Sequence, residues 1–472
     1  MVALLSHFVA RSFIRPAFLV VLSALACLGV RLELALGQNI NDLLVLPPSP
    51  VTSSQTVMAY APSDDKAAPY TSYLIDSTIN SNYLARAAVF GDSTRLAPFA
   101  NGMFLPSAIP VAGQPYYGTN ARASLQGNGS ALRLSAYSPA TSSYRASAHA
   151  DLVLDNAELS IGDNSVSTGF AVRSVVGTIN GFTIGVSDSA FSDPSAVPET
   201  IDIAGPSARV TVFDAGITNG QGRLSYDFFS QREDGFKAVA SIEQPIPEIS
   251  YTAANESRFA YLPDFIFAPQ YVVGDCVNGK FVERWHVQLG SVFRSLALET
   301  PAALDESEFG WGLALSGAYR MQLNPALTAQ DRVMFSITYG EGISHYIVDL
   351  NAAPDTGDAM VNTSGSLEAL PVFACYGGYT HNWTDDLRST ITYSHVDLHS
   401  TAPRAPATSP YRAGDYVAVN LVSHLKLFNS SKPDSEGQNM FLGTEYLYGR
   451  KETLDGATGD AHRLMLVFAI SN

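Results

Sequence analysis

The sequence predicts an all-β chain: a transmembrane, antiparallel, up-and-down β-barrel of about 16 strands behind a disordered N-terminal leader. Three observations carry that prediction. From about residue 120 to the end, alternate residues sort into an apolar row and a small or polar row. Many of these segments run to ten or more residues, whereas strands of globular proteins average ~5–6. Short turns alternate with longer acidic or Gly/Asn/Pro-rich stretches at 187–206, 244–269, 351–366 and 398–414, the asymmetry of a barrel with one short-turn end and one long-loop end.

Taken in order, the chain begins with an export signal. His7, Arg11 and Arg15 precede the apolar run that starts at Pro16, and Ala35–Gly37 supply small residues for cleavage before Gln38. Residues 1–37 are therefore assigned as a signal peptide. Residues 38–70 are Pro/Ser-rich and aperiodic, and read as a flexible leader without heptads. The barrel is assigned to 71–472, with a first strand inside "YLIDSTINSNYLARAAVF" and loop up to about residue 115. After residue 37 no apolar run approaches the ~18 residues a spanning helix needs.

The alternation is plainest in "DRVMFSITYG" (331–340), where Val333, Phe335, Ile337 and Tyr339 oppose Arg332, Met334, Ser336, Thr338 and Gly340. It recurs in "YRASAHADLVL" (144–154), "GRLSYDFF" (222–229), "RWHVQLGSVFR" (284–294) and "GWGLALSGAYRM" (310–321). Near the C-terminus it continues in "LRSTITYSHVD" (387–397), "DYVAVNLVSHLKL" (415–427) and "HRLMLVFAI" (462–470). Aromatic residues sit near segment ends, as at Trp285, Trp311, Tyr339, Tyr393 and Tyr448, where interfacial girdles lie in a membrane barrel. A two-faced strand also suits a soluble sandwich. The polar rows, rich in Ser, Thr, Gly, Asn and Arg and poor in Lys and Glu, favour a wetted lumen.

Composition narrows the function. Charged residues are 15% of the chain, below the ~25% of soluble domains. The net charge of −16, or −18 once residues 1–37 are removed, disfavours a nucleic-acid partner. Among the cations, 22 Arg outnumber 6 Lys, and Arg meets carboxylates in a planar two-pronged geometry. Cys276 and Cys375 do not make a disulfide framework, and spacing leaves their pairing open. Catalytic and metal constellations are not evident: His395 and His399 fall at a strand end, where i,i+4 spacing does not converge. No cofactor is expected.

Four stretches resemble the DcaP-like outer-membrane porins: "VPETIDIAGPSARV" (197–210), "GEGISHYIVDL" (340–350), "THNWTDDLRSTITYSHVD" (380–397) and "EYLYGRKETLDGATGDAHRL" (445–464). The resemblance covers about residues 70–472. It implies a homotrimeric sixteen-stranded porin in the outer membrane, in contact with its lipid, with a preference for small anionic solutes such as dicarboxylates. Two features depart from the family pattern: the leader lacks a coiled coil, and the chain ends Ile470-Ser471-Asn472 rather than in an aromatic residue.

Parity then names the residues expected to line such a pore and select anions: Arg122, Arg133, Arg145, Arg209, Arg223, Arg294, Arg332 and Arg388, with Arg173. The competing reading is that each pairs with a neighbouring acid such as Asp151, Asp227 or Glu445 and only stiffens the wall. The polar stretch 187–206 is expected to fold inward as a constriction loop carrying Glu199 and Asp202. An adhesin or receptor working through its long loops, and a secreted hydrolase, are the rival functions.

Overall fold

The computed structural model describes residues 78–471, except 101, 119–121, 138–145, 162–165, 213–219, 231, 251, 253–255, 278–279, 300–305, 352, 354, 400–409 and 427–438. The signal peptide and leader assigned above, and Arg145, lie outside the described residues. Sixteen strands follow one another. They are β1 (Thr78–Asp92), β2 in two pieces (Arg122–Gln126 and Ala131–Tyr137), β3 (Ala146–Ile161), β4 (Val166–Ile179), β5 (Phe182–Ser187), β6 (Gln221–Asp227) and β7 (Gly235–Glu243). Next come β8 in two pieces (Ser257–Phe259 and Asp264–Val277), β9 (Lys280–Glu299), β10 (Glu306–Met321), β11 (Asp331–Glu341) and β12 (Pro371–Asn382). The last four are β13 (Leu387–Leu398), β14 (Tyr411–Lys426), β15 (Asn439–Thr453) and β16 (Thr458–Ser471).

Each strand pairs antiparallel with the next, and β16 returns to β1, with Arg463 opposite Asp92 and Ser471 opposite Leu84. The ring is closed and has no free edge, which excludes the sandwich. Register puts the predicted apolar rows outside: Leu464 and Leu466 are each 57% exposed, whereas their neighbours Met465 and Val467 are buried. In the same way Val333, Ile337 and Tyr339 are exposed, and Met334, Ser336 and Thr338 are not. A belt of Leu, Val, Ile and aromatic side chains held outward on a closed ring matches a hydrocarbon surround.

Turn chemistry separates the two ends. At one end, β4 and β5 are joined by Asn180-Gly181, both with positive φ (47° and 90°), a turn that continues the strand twist. At the other end, the described residues of three long connections, within 93–118, 188–212 and 342–370, are in part buried and fill part of the lumen. A small sheet of Ile249–Ser250, Ala359–Val361 and Leu367–Ala369 ties the β7–β8 connection to the third of these.

The polar-lumen expectation holds for only part of the circumference. On the β14–β16 and β1 side the inward row is largely apolar, and the first inward loop packs on it: Phe104, Leu105 and Ile109 against Phe90, Tyr416, Leu447 and Met465. That loop lies in the stretch read from sequence simply as loop. Its apolar residues have no period of 2 or 3.6, so pattern alone does not reveal that they are core.

Candidate functional site: the partly filled lumen

The second inward loop is a belt rather than a bar. From Phe191 to Asp202 it runs along the inner wall from β9 round to β1. Gln288 on β9 donates from Nε2 to the Ser192 carbonyl (3.1 Å), and Ser316 on β10 donates to Asp193 (2.7 Å). Arg332 on β11 donates to the Ser195 carbonyl. Arg388 on β13 clasps Glu199 through Nε and Nη2 (2.6 Å to Oε1). Glu445 on β15 accepts the Ile201 and Asp202 amides at 2.8 and 2.7 Å, and Arg86 on β1 donates to the Ile201 carbonyl at 2.7 Å. Close approach needs bare backbone beneath: a Cβ on Gly378 would lie 2.4 Å from Pro198, and one on Gly443 would lie 2.7 Å from Ile201.

The belt then turns back over the third inward loop. Ser394 receives the Ala208 amide (2.8 Å), the Thr211 amide donates to the Tyr346 carbonyl (2.9 Å), and the Val348 amide donates to the Arg209 carbonyl (3.1 Å). Asp349 accepts the Ser107 amide (2.9 Å) and the Tyr411 hydroxyl (2.7 Å), joining first and third loops. Asp202, 2% exposed, accepts the Phe104 amide (3.2 Å) and so joins first and second. Burial pushes its carboxyl up to about 7, with Glu445 adding to the rise and Arg463 opposing it.

Opposite this packed half, the wall of β2–β7 is polar and open. Arg133, His149, Arg173 and Arg223 converge there with Asp151 and Asp188 on a cavity of about 360 Å³. Arg133 grips Asp151 with two bonds, Nε at 2.6 Å and Nη2 at 2.8 Å, a bidentate charge-assisted pair. Ser174 also donates to Asp151 (3.1 Å). Arg173 stands 3.5 Å from Asp188, with 39% and 34% of the two side chains exposed. Arg223 donates to the Asp188 carbonyl at 2.6 Å. Three guanidinium groups face Asp151 and Asp188 here, with buried Glu243 opposite Arg223 in register as a further counter-charge, and Arg173 is the one held most loosely.

Eight of the nine predicted arginines fall among the described residues, and they separate. Arg133, Arg173 and Arg223 share the cavity. Arg388 and Arg332 hold the belt from the wall, and Arg209 is a belt residue whose guanidinium pKa is lowered by burial. Arg122 is placed only by register, opposite Asp92. Arg294 departs from the expectation. It is 2% exposed, paired with Asp264 (3.0 Å) and Asp358 (2.8 Å), and also donates to the Gly342 and Ile246 carbonyls. It struts the third loop and does not line a water path, because that loop covers it. Asp202 is likewise buried rather than lumen-facing, and Glu199 is matched by Arg388.

Sequence reasoning passed over Arg86, Arg463 and Arg320. Each stands at an inward parity position of a strand, so the signal was present. Arg463 is held by Asp92 through Nε and Nη2 (2.5 and 3.0 Å) and donates to the Gly102 carbonyl at 2.7 Å. Cys276 and Cys375 are free thiols.

A closed sixteen-strand ring with an apolar outer belt and a partly filled polar interior is a β-barrel of the outer-membrane type. Its fold is that of the porin channels. The barrel is similar to the outer membrane channel DcaP of Acinetobacter baumannii, with TM-score 0.62 and 16% identity over 84% of this chain and 97% of that one. Weaker likenesses are to the anion-selective porin from Comamonas acidovorans (TM-score 0.47, 10% identity, 84% and 100% covered) and to Salmonella typhi OmpF in complex with daunomycin (0.44, 10%, 83% and 97%). No family model and no curated protein matches the sequence.

Proposed function

We propose that this protein is an outer-membrane porin, a passive, water-filled channel for small anionic solutes of the dicarboxylate kind. One observation carries the anion preference: the Arg133–Arg173–Arg223 cluster on the open side of a closed ring. Arg133 and Arg173 each keep 39% of the side chain exposed to the lumen, and the low-polarisability walls of a lumen strengthen their field. Much of the acid that makes the whole chain negative lies elsewhere: among the described residues, Asp151 and Asp188 are the carboxylates that line this cavity. The fold likeness supports the channel. The solute is read from side-chain chemistry and from the DcaP-like sequence stretches, and those stretches also support a homotrimer. The chain is further proposed to be exported by residues 1–37 and to leave 38–70 as a leader. The test is planar-bilayer recording across a KCl gradient. A stable conductance with a reversal potential of anion-selective sign is expected. An ohmic, cation-selective conductance overturns the anion preference, and no conductance overturns the channel.

A further inference from the structure

A second group of cations lies away from that cavity. Arg320 on β10 and Arg332 on β11 are directly opposite in register, one residue inside the short-turn end of their strands. Both occupy inward parity positions, since Ala318 and Met334 beside them are buried while Tyr319 and Val333 are exposed. Like charges facing each other across a ladder oppose folding. The Nε of each guanidinium is buried and has no hydrogen-bond partner. Among the described residues no protein acceptor reaches Arg320 at all, and Arg332 reaches only the Ser195 carbonyl.

Glu283 faces both arginines and Asp193 faces Arg332 as counter-charges, but neither carboxylate hydrogen-bonds them. Glu283 and Asp193 both bond His286, at 2.8 and 3.0 Å, and Asp193 also receives Ser316. A buried donor left unmade in a native fold calls for an occupant. Two facing guanidinium groups, each with an unpartnered Nε, are an arrangement that accepts a planar or tetrahedral oxyanion.

We propose that Arg320 and Arg332 form a discrete oxyanion station near the short-turn mouth, which takes a carboxylate or phosphate group between the two guanidinium forks. Neither arginine lines the Arg133–Arg173–Arg223 cavity, so the lumen carries two groups of cations. The belt residue Ser195 fixes Arg332 by its carbonyl, leaving the rest of that fork to the ligand. This inference rests on the channel reading for its role in transport, but not for binding itself.

The experiment therefore has two arms. In bilayers, wild-type current in KCl is titrated with inorganic phosphate and, separately, with succinate, each from the short-turn side. Brief blockades are expected from whichever oxyanion is the natural occupant. They should weaken at least about tenfold in R320Q/R332Q. R320K/R332K, which keeps charge and fold but loses the forks, should lose the blockades as well. In detergent, phosphate or succinate should raise the unfolding temperature of the wild type and not of either variant. A wild type without conductance that still shows this stabilisation sinks the channel and keeps the station. Blockade and stabilisation that are equal in wild type and both variants, or absent from the wild type, overturn the station.

Discussion

The two halves of the lumen use the same side chain for opposite ends. On the packed half, Arg463 and Arg294 are each 2% exposed. Their donors are taken up by carboxylates and loop carbonyls, and each guanidinium lies over an aromatic ring, Phe90 at 4.0 Å and Tyr346 at 5.0 Å. On the open half, Arg133 and Arg173 keep 39% of their side chains in contact with solvent. A guanidinium is a rivet where loops cover it and a recognition group where water reaches it. The difference is made by the loops, not by the strand that carries the arginine.

The sharpest way to break this contrast is to unpair a rivet. Asp92→Asn leaves Arg463 buried with its principal counter-charge gone, which costs about 3–5 kcal/mol in comparable buried pairs. The first inward loop should then detach. Denaturant titration in detergent should show the loss, and limited proteolysis should cut within 93–121. A variant as stable as wild type and equally resistant would mean that Arg463 does not hold the loop.

The next effect is a dependence on pH. Docked, Asp202 titrates at about 7, whereas in a released loop it returns toward the ordinary aspartate value of 3.8. Below the lower value both forms are protonated and docking is at full strength. Between the two values the released carboxyl ionises and the docked one does not, so docking weakens, by on the order of tenfold per pH unit at most. Above about 7 both are ionised and docking stays at its weakest. Proteolytic release of the belt should therefore rise between pH 5 and 7 and then level off, and Asp202→Asn should flatten the curve. A belt equally protected across that window would remove Asp202 as the cause.

On the open half the effect is on selectivity rather than stability. Arg173→Gln removes the most loosely paired cation of the cavity. One unit charge at short range in water-like surroundings is worth about 1 kcal/mol, or about fivefold in the anion-to-cation permeability ratio. The reversal potential in a KCl gradient reads that change directly, with unfolding unaffected. An unchanged ratio would mean that the selecting field lies elsewhere along the lumen.

How much of this was legible beforehand depended on whether the fold is written in a period. The outward rows were, because β-strand parity is absolute: one residue of slip would move Leu464, Leu466 and Phe468 inside. The closed ring followed from their number and from the asymmetry of the turns. The inward loops were not legible, since residues such as Phe104, Leu105 and Ile109 have no repeating spacing. Without them, Arg294 and Arg173 look alike, each a cation in a polar row. The stretch 197–210 was conspicuous because it is the belt itself, where Pro198, Glu199 and Asp202 each meet a particular wall residue.

The smallest expected effect tests where belt and wall meet at Arg388. Its pair with Glu199 is bidentate, yet the two side chains remain 22% and 38% exposed. Water shares both charges, and half-exposed pairs of this kind contribute ~0.2–1 kcal/mol. Arg388→Lys keeps the charge and gives up the fork. It also gives up the contact with His424, which Arg388 reaches through Nη1. Stability should fall by less than about 1 kcal/mol, and the permeability ratio should not move, because Arg388 is turned to Glu199 and not to the cavity. The informative readout is the difference between this variant and Arg173→Gln in the same recording. If Arg388→Lys shifts selectivity as much as the loss of Arg173, then the belt leaves Arg388 open to passing ions, and the division between rivets and recognition groups fails at the residue where it is closest to balance.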